Sequence, residues 1–240
     1  MTMRRCVIKL SGAAFGNRSE RFDFVFLNAL IKQISELLTH NVEIVLVLGG
    51  GNICRGKELK KSLPKIKDTA SNFDYAGMLG TVINGLLLQN FFISHGQKTE
   101  LFSDLLIDEK IVQKYTYKRV NKSLQKHRLS ILVGGIGLPN FSTDVATFLK
   151  AKELNADIIL LGKHRVDGIY SADPHANSEA KWIPEINFSE LVDRRLEIID
   201  LAAAVIGMKN NFSVFVFDIT QKNAIIKVWK KEGKYTHVKN

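Results

Sequence analysis

The chain has 240 residues, of which 45% are hydrophobic and 24% charged, and its formal net charge is +10 at pH 7. This length allows one large domain or two small ones, and the composition excludes a disordered or fibrous protein. The N-terminal stretch lacks the apolar segment of a signal peptide, and we expect no apolar run long enough to span a bilayer. The two cysteines, Cys6 and Cys54, have neither metal-ligand nor redox spacing, so a reduced, cytoplasmic protein is expected.

In chain order the pattern predicts alternating strands and helices. The predicted elements are a strand at 6–10, helix 22–40, strand 42–48, helix 74–95, strand 98–103, helix 117–127, strand 129–135, helix 142–155, strand 157–163, helix 198–210, strand 212–218 and helix 221–230. Repeated β-α-β order with continuously apolar strands predicts an α/β fold, a three-layer αβα sandwich around a mainly parallel sheet. No linker or internal repeat interrupts this order, so residues 1–240 are predicted to form one domain.

The basic charge is spread over residues 57–67, 114–128 and the C-terminal end. A basic surface can bind nucleic acid, but these clusters are scattered and carry no known nucleic-acid motif. A cleft for small polyanionic substrates explains the same charge. We therefore expect no nucleic-acid partner.

Glycine-bearing loops follow four predicted strands, at 9–12, 49–56, 134–144 and 162–174. Ligands of such sheets bind where the strands end, so the loops predict a phosphate-lined cleft. Three glycines, 49–51, let backbone N–H groups approach a bulky anion, and the cations Arg55 and Lys57 that follow suit phosphate. The alternative is a simple strand-to-helix turn without a ligand. Cys54 lies beside these cations, which would lower its thiol pKa, unless it is only a small buried apolar residue.

Two familiar phosphate-binding motifs are excluded at this glycine stretch. Residues 51–57 fit G-x-x-x-x-G-K, but Glu58 stands where a P-loop needs a hydroxyl for the metal ion. The dinucleotide pattern G-x-G-x-x-G does not match, because Cys54 stands at the position of its last glycine.

Several segments together resemble one family along nearly the whole chain. They are "KLSG" (9–12), "GGGN" (49–52) with "RG" (55–56), "DYAGMLGTVING" (74–85), "GLPNFSTD" (137–144), "VDGIYSADP" (166–174) and "IIDLAA" (198–203). In order and spacing the chain resembles the bacterial UMP kinases, or uridylate kinases, of the amino-acid kinase superfamily. The resemblance implies a sheet of about eight strands, the reaction of ATP and UMP to ADP and UDP, Mg²⁺ bound with ATP, and a homohexamer.

The resemblance also implies roles for individual residues. Catalytic positions of the family match Lys9, Arg55 and Asp144. The alternative for Lys9 is a surface lysine at a strand end, and the alternative for Asp144 is a helix cap. The implied ATP contacts are Lys9, Leu10, Ser11, Gly12, Gly51, Arg55, His164, Tyr170 and Asp173. The implied UMP contacts are Gly50, Asp74, Ile136, Gly137, Leu138, Pro139, Asn140, Phe141, Ser142 and Thr143. Asp200 is a candidate for the Mg²⁺ region, although the nucleotide phosphates are expected to supply most of the contacts to the metal. For both Asp74 and Asp200 the alternative is a helix cap.

The chain departs from the family pattern at the acceptor loop. Ile136, Leu138 and Asn140 replace a hydroxyl, an amide and an aromatic ring, and Ala13 replaces a glutamate after "KLSG". Backbone contacts to UMP survive such changes, whereas side-chain hydrogen bonds do not. Two other functions therefore stay open, a nucleotide-binding storage or regulatory protein of the same fold and a sister amino-acid or carbamate kinase.

Overall fold

A computed structural model describes residues 4–17, 19–66, 71–174 and 176–240 of the chain. Within those residues the strands are β1 Arg4–Leu10, β2 Val42–Leu48, β3 Thr99–Ser103, β4 Gln113–Lys114, β5 Leu129–Val133, β6 Ile158–Lys163, β7 Ile169–Tyr170, β8 Trp182–Ile183, β9 Glu185–Asn187, β10 Ser213–Asp218 and β11 Thr236–Lys239. The helices are α1 Phe24–Leu38, α2 Gly56–Ser62, α3 Asn72–Ser94, α4 Tyr117–Gln125, α5 Thr143–Glu153, α6 Phe188–Asp193, α7 Leu201–Met208 and α8 Ala224–Trp229. A 3-10 turn covers Gly12–Ala14.

A large sheet with the strand order β4-β3-β5-β2-β1-β6-β10-β11-β9 forms the middle of the molecule. Its first seven strands are parallel, whereas β11 runs antiparallel to β10 and β9 runs parallel to β11. The predicted mainly parallel sheet is confirmed, with nine strands instead of about eight. The chain places β2 on one side of β1 and β6 on the other, so a topological switch point, where such sheets bind ligands, lies at the end of β1.

Helices cover both faces of this sheet, as the uniformly apolar strands predict. On β1, Ile8 and Leu10 enter a core shared with α1, α3 and α8. Val7 points the other way, into a second core shared with α4, α5, α6 and α7. The three-layer αβα arrangement is therefore confirmed.

Elements that the sequence did not predict are short. They are β4, the antiparallel β7–β8 hairpin, β9, β11, α2 and α6, none longer than seven residues. A run of two to four residues is too brief to show a period, and α2, "GKELKKS", contains a single large apolar residue.

Helix α3 corrects one expectation from the sequence. It has 23 residues and a mean hydropathy of 1.4, so by length and composition it is apolar enough to cross a membrane. It is also 44% buried in its most apolar window, and its buried positions include the polar Thr81 and Asn84. Both side chains are hydrogen-bonded to loops of the sheet. These are the features of a core helix that keeps one apolar face exposed.

We predict that Phe148→Ala destabilises the protein by about 3–5 kcal/mol, because it removes a fully buried ring and leaves a cavity. Phe148 lies on α5 and packs edge-on against Phe188 and Phe212, with ring centroids 5.9 Å apart in both pairs. Urea unfolding at fixed protein concentration measures the loss. Phe141→Ala is the control, since the same change at a ring that is 51% exposed should cost far less. Equal losses for the two variants would contradict the packing described here.

Candidate active site

Backbone segments that follow β1, β2 and β6 meet at the carboxyl end of the sheet. The Ser11 N–H donates to the Gly162 carbonyl at 3.2 Å, and the Gly49 N–H donates to the Leu10 carbonyl at 2.9 Å. The Leu10 side chain is fully buried in the core, so only its backbone faces these loops. Three of the four predicted loops are thus joined directly.

The glycines of these loops are required by close packing of backbone on backbone. A Cβ on Gly12 would lie 2.4 Å from the Gly51 nitrogen and 2.5 Å from the Gly49 oxygen. A Cβ on Gly50 would lie 2.5 Å from the Gly77 oxygen on α3. These contacts are tighter than any side chain tolerates, so they explain the triple glycine even before a ligand is considered.

A buried carboxylate between two lysines occupies the middle of this edge. Asp144, in the first turn of α5, lies 3.3 Å from the Lys9 ammonium and 2.6 Å from the Lys163 ammonium. All three side chains are 13% exposed or less. Lys9 pairs with Leu161 across β1 and β6, so Lys163, two residues further along, emerges on the same face of the sheet.

Burial and neighbouring charges alter the protonation of this cluster. Burial lowers the pKa of Lys9; Asp144 opposes that shift, whereas Lys163 and Arg55 add to it. Burial alone would raise the pKa of Asp144, but Lys163 and Lys9 outweigh it and hold that pKa well below its usual range. The carboxylate therefore stays ionised and holds two cations at the end of the sheet.

Lys163 was not among the site residues predicted from the sequence. It is the last residue of β6, whereas Lys9 is the last but one of β1, and a lysine near the end of each of two apolar strands was a usable signal. Its closeness to Asp144, however, depends on β1 pairing with β6, which the chain order alone does not specify.

Polar side chains of α3, also missed, hold two loops in place. Asn84, which is 1% exposed, donates to the Gly49 carbonyl at 2.8 Å and exchanges hydrogen bonds with Asn52. Thr81 accepts a 2.7 Å hydrogen bond from the Gly134 N–H at the end of β5. Buried groups of this kind fix backbone geometry because leaving them unpaired is costly.

Arg55 lies at the rim of the site. A Cβ on Gly51 would be 2.6 Å from the Arg55 Nε atom, so the guanidinium side chain runs directly over that glycine. Its side chain is 45% exposed and pairs with Glu58 at 3.0 Å. For the neighbouring Cys54, burial and Glu58 raise the thiol pKa, so the expectation of a lowered pKa was wrong.

Asp74 connects the start of α3 with two other segments. Its Oδ2 atom accepts from the Lys60 ammonium on α2 at 3.2 Å and from the Asn140 N–H at 3.1 Å. Ser71 precedes the helix as its N-cap residue, so Asp74 is not the cap that the alternative reading expected.

The acceptor loop was predicted at 134–144; its last two residues belong to the first turn of α5, so the loop itself covers 134–142. Gly137 closes a turn onto the Gly134 carbonyl at 2.9 Å, and Asn140 adopts a positive φ of 67°, which asparagine tolerates better than most residues. Leu138 and Phe141 are more than half exposed, whereas Ile136 packs against the second core. Pro139 lies between these residues and is partly exposed.

The residues at the start of α5 cap the helix with their own hydrogen bonds. Ser142 accepts a 3.3 Å hydrogen bond from the Val145 N–H, and the Thr143 carbonyl accepts from the Thr147 hydroxyl at 2.7 Å. Asp144, in the first turn, is therefore not the cap. The same end of the helix thus borders the acceptor loop and carries the carboxylate of the lysine cluster.

A cleft of about 510 Å³ opens beside these loops, lined in part by Ala13, Gly51, His164 and Arg165. Burial lowers the pKa of His164, and Arg165 adds to the shift. The His164 Nδ1 atom is buried and has no hydrogen-bond partner among the described residues. Asp218, at the end of β10, accepts from the Arg165 N–H at 3.0 Å and so fixes this wall of the cleft. No motif indicated that role.

Tyr170 lies on the β7–β8 hairpin, apart from the lysine cluster. Its hydroxyl donates to Asp167 at 2.6 Å and accepts from the Lys234 ammonium at 2.8 Å. Asp173 opens a turn just beyond, where its carbonyl accepts from the N–H groups of residues 176 and 177.

The described residues contain no group of three or more metal-binding side chains of the His, Cys, Asp or Glu type. Asp200 caps α7, accepting from the Ala202 N–H at 2.9 Å, while its own N–H lies 3.4 Å from Asp144. Asp200 therefore caps α7 next to Asp144.

The family model described as "Amino acid kinase family" matches residues 4–218. The chain is 36% identical over 239 residues to a uridylate kinase of Mycoplasmopsis pulmonis, covering 98% of this chain and 96% of the relative. A crystal structure of UMP kinase from Ureaplasma parvum matches with a TM-score of 0.91 and 36% identity over 100% of both chains. One of UMP kinase from Bacillus anthracis matches with a TM-score of 0.90 and 27% identity over 98% and 96%. The chain therefore belongs to the uridylate kinase family, within the amino acid kinase family.

Proposed function

We propose that this protein is a UMP kinase, which transfers the terminal phosphoryl group of ATP to UMP and serves pyrimidine nucleotide synthesis. The bond between the γ-phosphorus and the bridging oxygen of ADP breaks, and a bond forms to a phosphate oxygen of UMP. The acceptor phosphate is already an anion, so no protein base is needed. Catalysis of this kind rests on positioning and on cations that neutralise the transferring group.

The observation that carries this proposal is the Lys9–Asp144–Lys163 cluster, together with family membership. Two ammonium groups share one carboxylate at the carboxyl end of the sheet. Such a cluster keeps a net positive charge where water is largely excluded, and phosphate oxygens are bound strongly there. We assign Lys9 and Lys163 to the transferring phosphoryl group and Asp144 to holding them apart.

The remaining roles follow the positions of the loops. ATP would occupy the cleft beside His164, with backbone contacts from 10–12 and 51 and the adenosine toward Tyr170 and Asp173. UMP would lie between Gly50, Asp74 and loop residues 136–143, and Arg55 would span the two phosphate groups. Mg²⁺ would be held mainly by the ATP phosphates, with Asp200 as a candidate neighbour, and would neutralise charge on the transferred group.

This proposal is tested by measuring ADP release from Mg²⁺ and ATP with UMP, CMP, dUMP, aspartate or acetylglutamate as acceptor. We expect turnover with UMP far above that with the other acceptors, and loss of that turnover when EDTA removes the metal. Turnover with an amino acid instead would support the sister-kinase alternative. Nucleotide binding without any turnover would support a storage or regulatory protein.

Lys9→Ala should lower kcat by roughly 10²–10³, because one preorganised cation is lost from the transition state. Lys152→Ala, at an exposed lysine on the same helix as Asp144, is the control and should leave the kinetics unchanged. A rise in KM at constant kcat for Lys9→Ala would show that the lysine acts in ground-state binding instead.

We also propose that the protein acts as a cytoplasmic homo-oligomer, with the hexamer that the resemblance implies. Support comes from an apolar face formed by Leu79, Ile83 and Ile93 of α3 and by Phe24 and Val25 of α1, which are between 47% and 82% exposed. Large apolar side chains exposed on two helices of the same layer are typical of an association surface.

Ile83→Asp should therefore shift the protein to smaller species, because it places a charge in that face. Size-exclusion chromatography with light scattering measures the change. Met208→Asp, at a comparably exposed residue of α7 on the opposite side of the sheet, is the control. An unchanged mass for Ile83→Asp would place the subunit contacts elsewhere.

A further inference from the structure

A second buried lysine, outside the reaction site, lies on α5. The Lys150 side chain is 5% exposed, and its ammonium is 3.0 Å from both carboxylate oxygens of Asp104. The same ammonium lies 3.4 Å from the centroid of the Tyr115 ring and 3.6 Å from the Glu153 carboxylate. The Tyr115 hydroxyl donates to Glu153. We refer to Asp104, Tyr115, Lys150 and Glu153 as the α5 cluster.

The α5 cluster connects segments that are distant in the sequence. Asp104 directly follows β3 and Tyr115 directly follows β4, while Lys150 and Glu153 lie on α5. The Tyr115 N–H also donates to the Ser103 carbonyl at 2.8 Å. The cluster therefore ties α5 to the end of the sheet beyond β5.

The acceptor loop rests on the same segment. A Cβ on Gly137 would lie 3.1 Å from the Asp104 carbonyl oxygen and 3.3 Å from the Asp104 Cβ. A Cβ on Gly134 would lie 2.6 Å from the Ser103 hydroxyl. Both glycines have positive φ angles, 73° and 76°, so the loop cannot move closer or exchange these residues without strain.

A buried ion pair of this kind is a poor source of net stability, because taking two charges out of water offsets much of their attraction. Burial indeed raises the pKa of Asp104 above its usual value, although Lys150 opposes the shift. What such a pair does supply is geometry, since each charge is costly to leave without its partner. In this protein the ion pair sets the distance between α5 and the segment at Asp104, against which Gly137 packs.

We propose that Asp104 and Lys150 are positioning residues that hold loop 134–142 in the position, relative to α5, that is required to bind the acceptor mononucleotide. The proposal rests on the proposed function in taking this loop as the acceptor side of the site. Neither residue contacts the Lys9–Asp144–Lys163 cluster, so the pair should affect acceptor binding much more than ATP binding.

The experiment measures kcat, the KM for UMP, the KM for ATP and the melting temperature for Asp104→Asn, Lys150→Met and Lys150→Arg. We expect the first two variants to raise the KM for UMP by about tenfold or more, with the KM for ATP within about twofold of the wild type. Lys150→Arg keeps the charge and should recover most of the affinity for UMP. Should Lys150→Met fail to fold, Asp104→Asn decides the question, since it preserves side-chain shape and an oxygen for the ammonium.

Glu43→Gln is the matched control. Glu43 pairs with Arg5 at 2.6 Å, with both side chains less than 20% exposed, at the opposite end of β1 and β2. It should lower the melting temperature without changing the KM for UMP. An unchanged KM for UMP in Asp104→Asn, or changes in both KM values that follow the melting temperature, would overturn the proposal. If the wild type used another acceptor, the proposed function would fall, and the pair would be judged by the KM for that acceptor.

Discussion

The organisation of this protein depends on one ionised carboxylate buried between two ammonium groups. Without Asp144, Lys9 and Lys163 would face each other at the ends of adjacent strands with no counter-charge. With it, one carboxylate lies between the two ammonium groups in a region where charge interactions are only weakly screened by water. The start of α5 contributes as well, because the positive end of a helix dipole favours a carboxylate in its first turn. The carboxylate thus makes it possible to concentrate positive charge inside a folded domain.

Close backbone contact is the second constraint. The glycines at 12, 49 and 50 allow the loops after β1 and β2 to touch each other and α3. Asn84 and Thr81 then hydrogen-bond these loops from within the helix. A phosphate site needs backbone N–H groups that keep their direction when the anion arrives, and buried hydrogen bonds from a long helix provide this rigidity.

Strong periodic patterns allowed most of the fold to be predicted from the sequence, because long apolar strands and amphipathic helices carry their own signal. The strand at 42–48 is found where it was expected, and the helix predicted at 142–155 extends from Thr143 to Glu153. Elements of two or three residues, such as β4 and β8, exist only through pairing with distant partners. The same holds for the site. Lys9 and Asp144 stood out by motif, whereas Lys163, Asn84 and Asp218 acquire significance only from contacts that tertiary structure creates.

The two edge strands of the large sheet affect the tendency of the protein to aggregate at high concentration. The outermost strands are β4, with two residues, and β9, with three. Strands this short present few free N–H and C=O groups, so they offer little template for strand addition from another chain. Extension of the sheet into fibres is therefore disfavoured at both edges, and the side chains of the helices are the surfaces left for specific contacts with another chain.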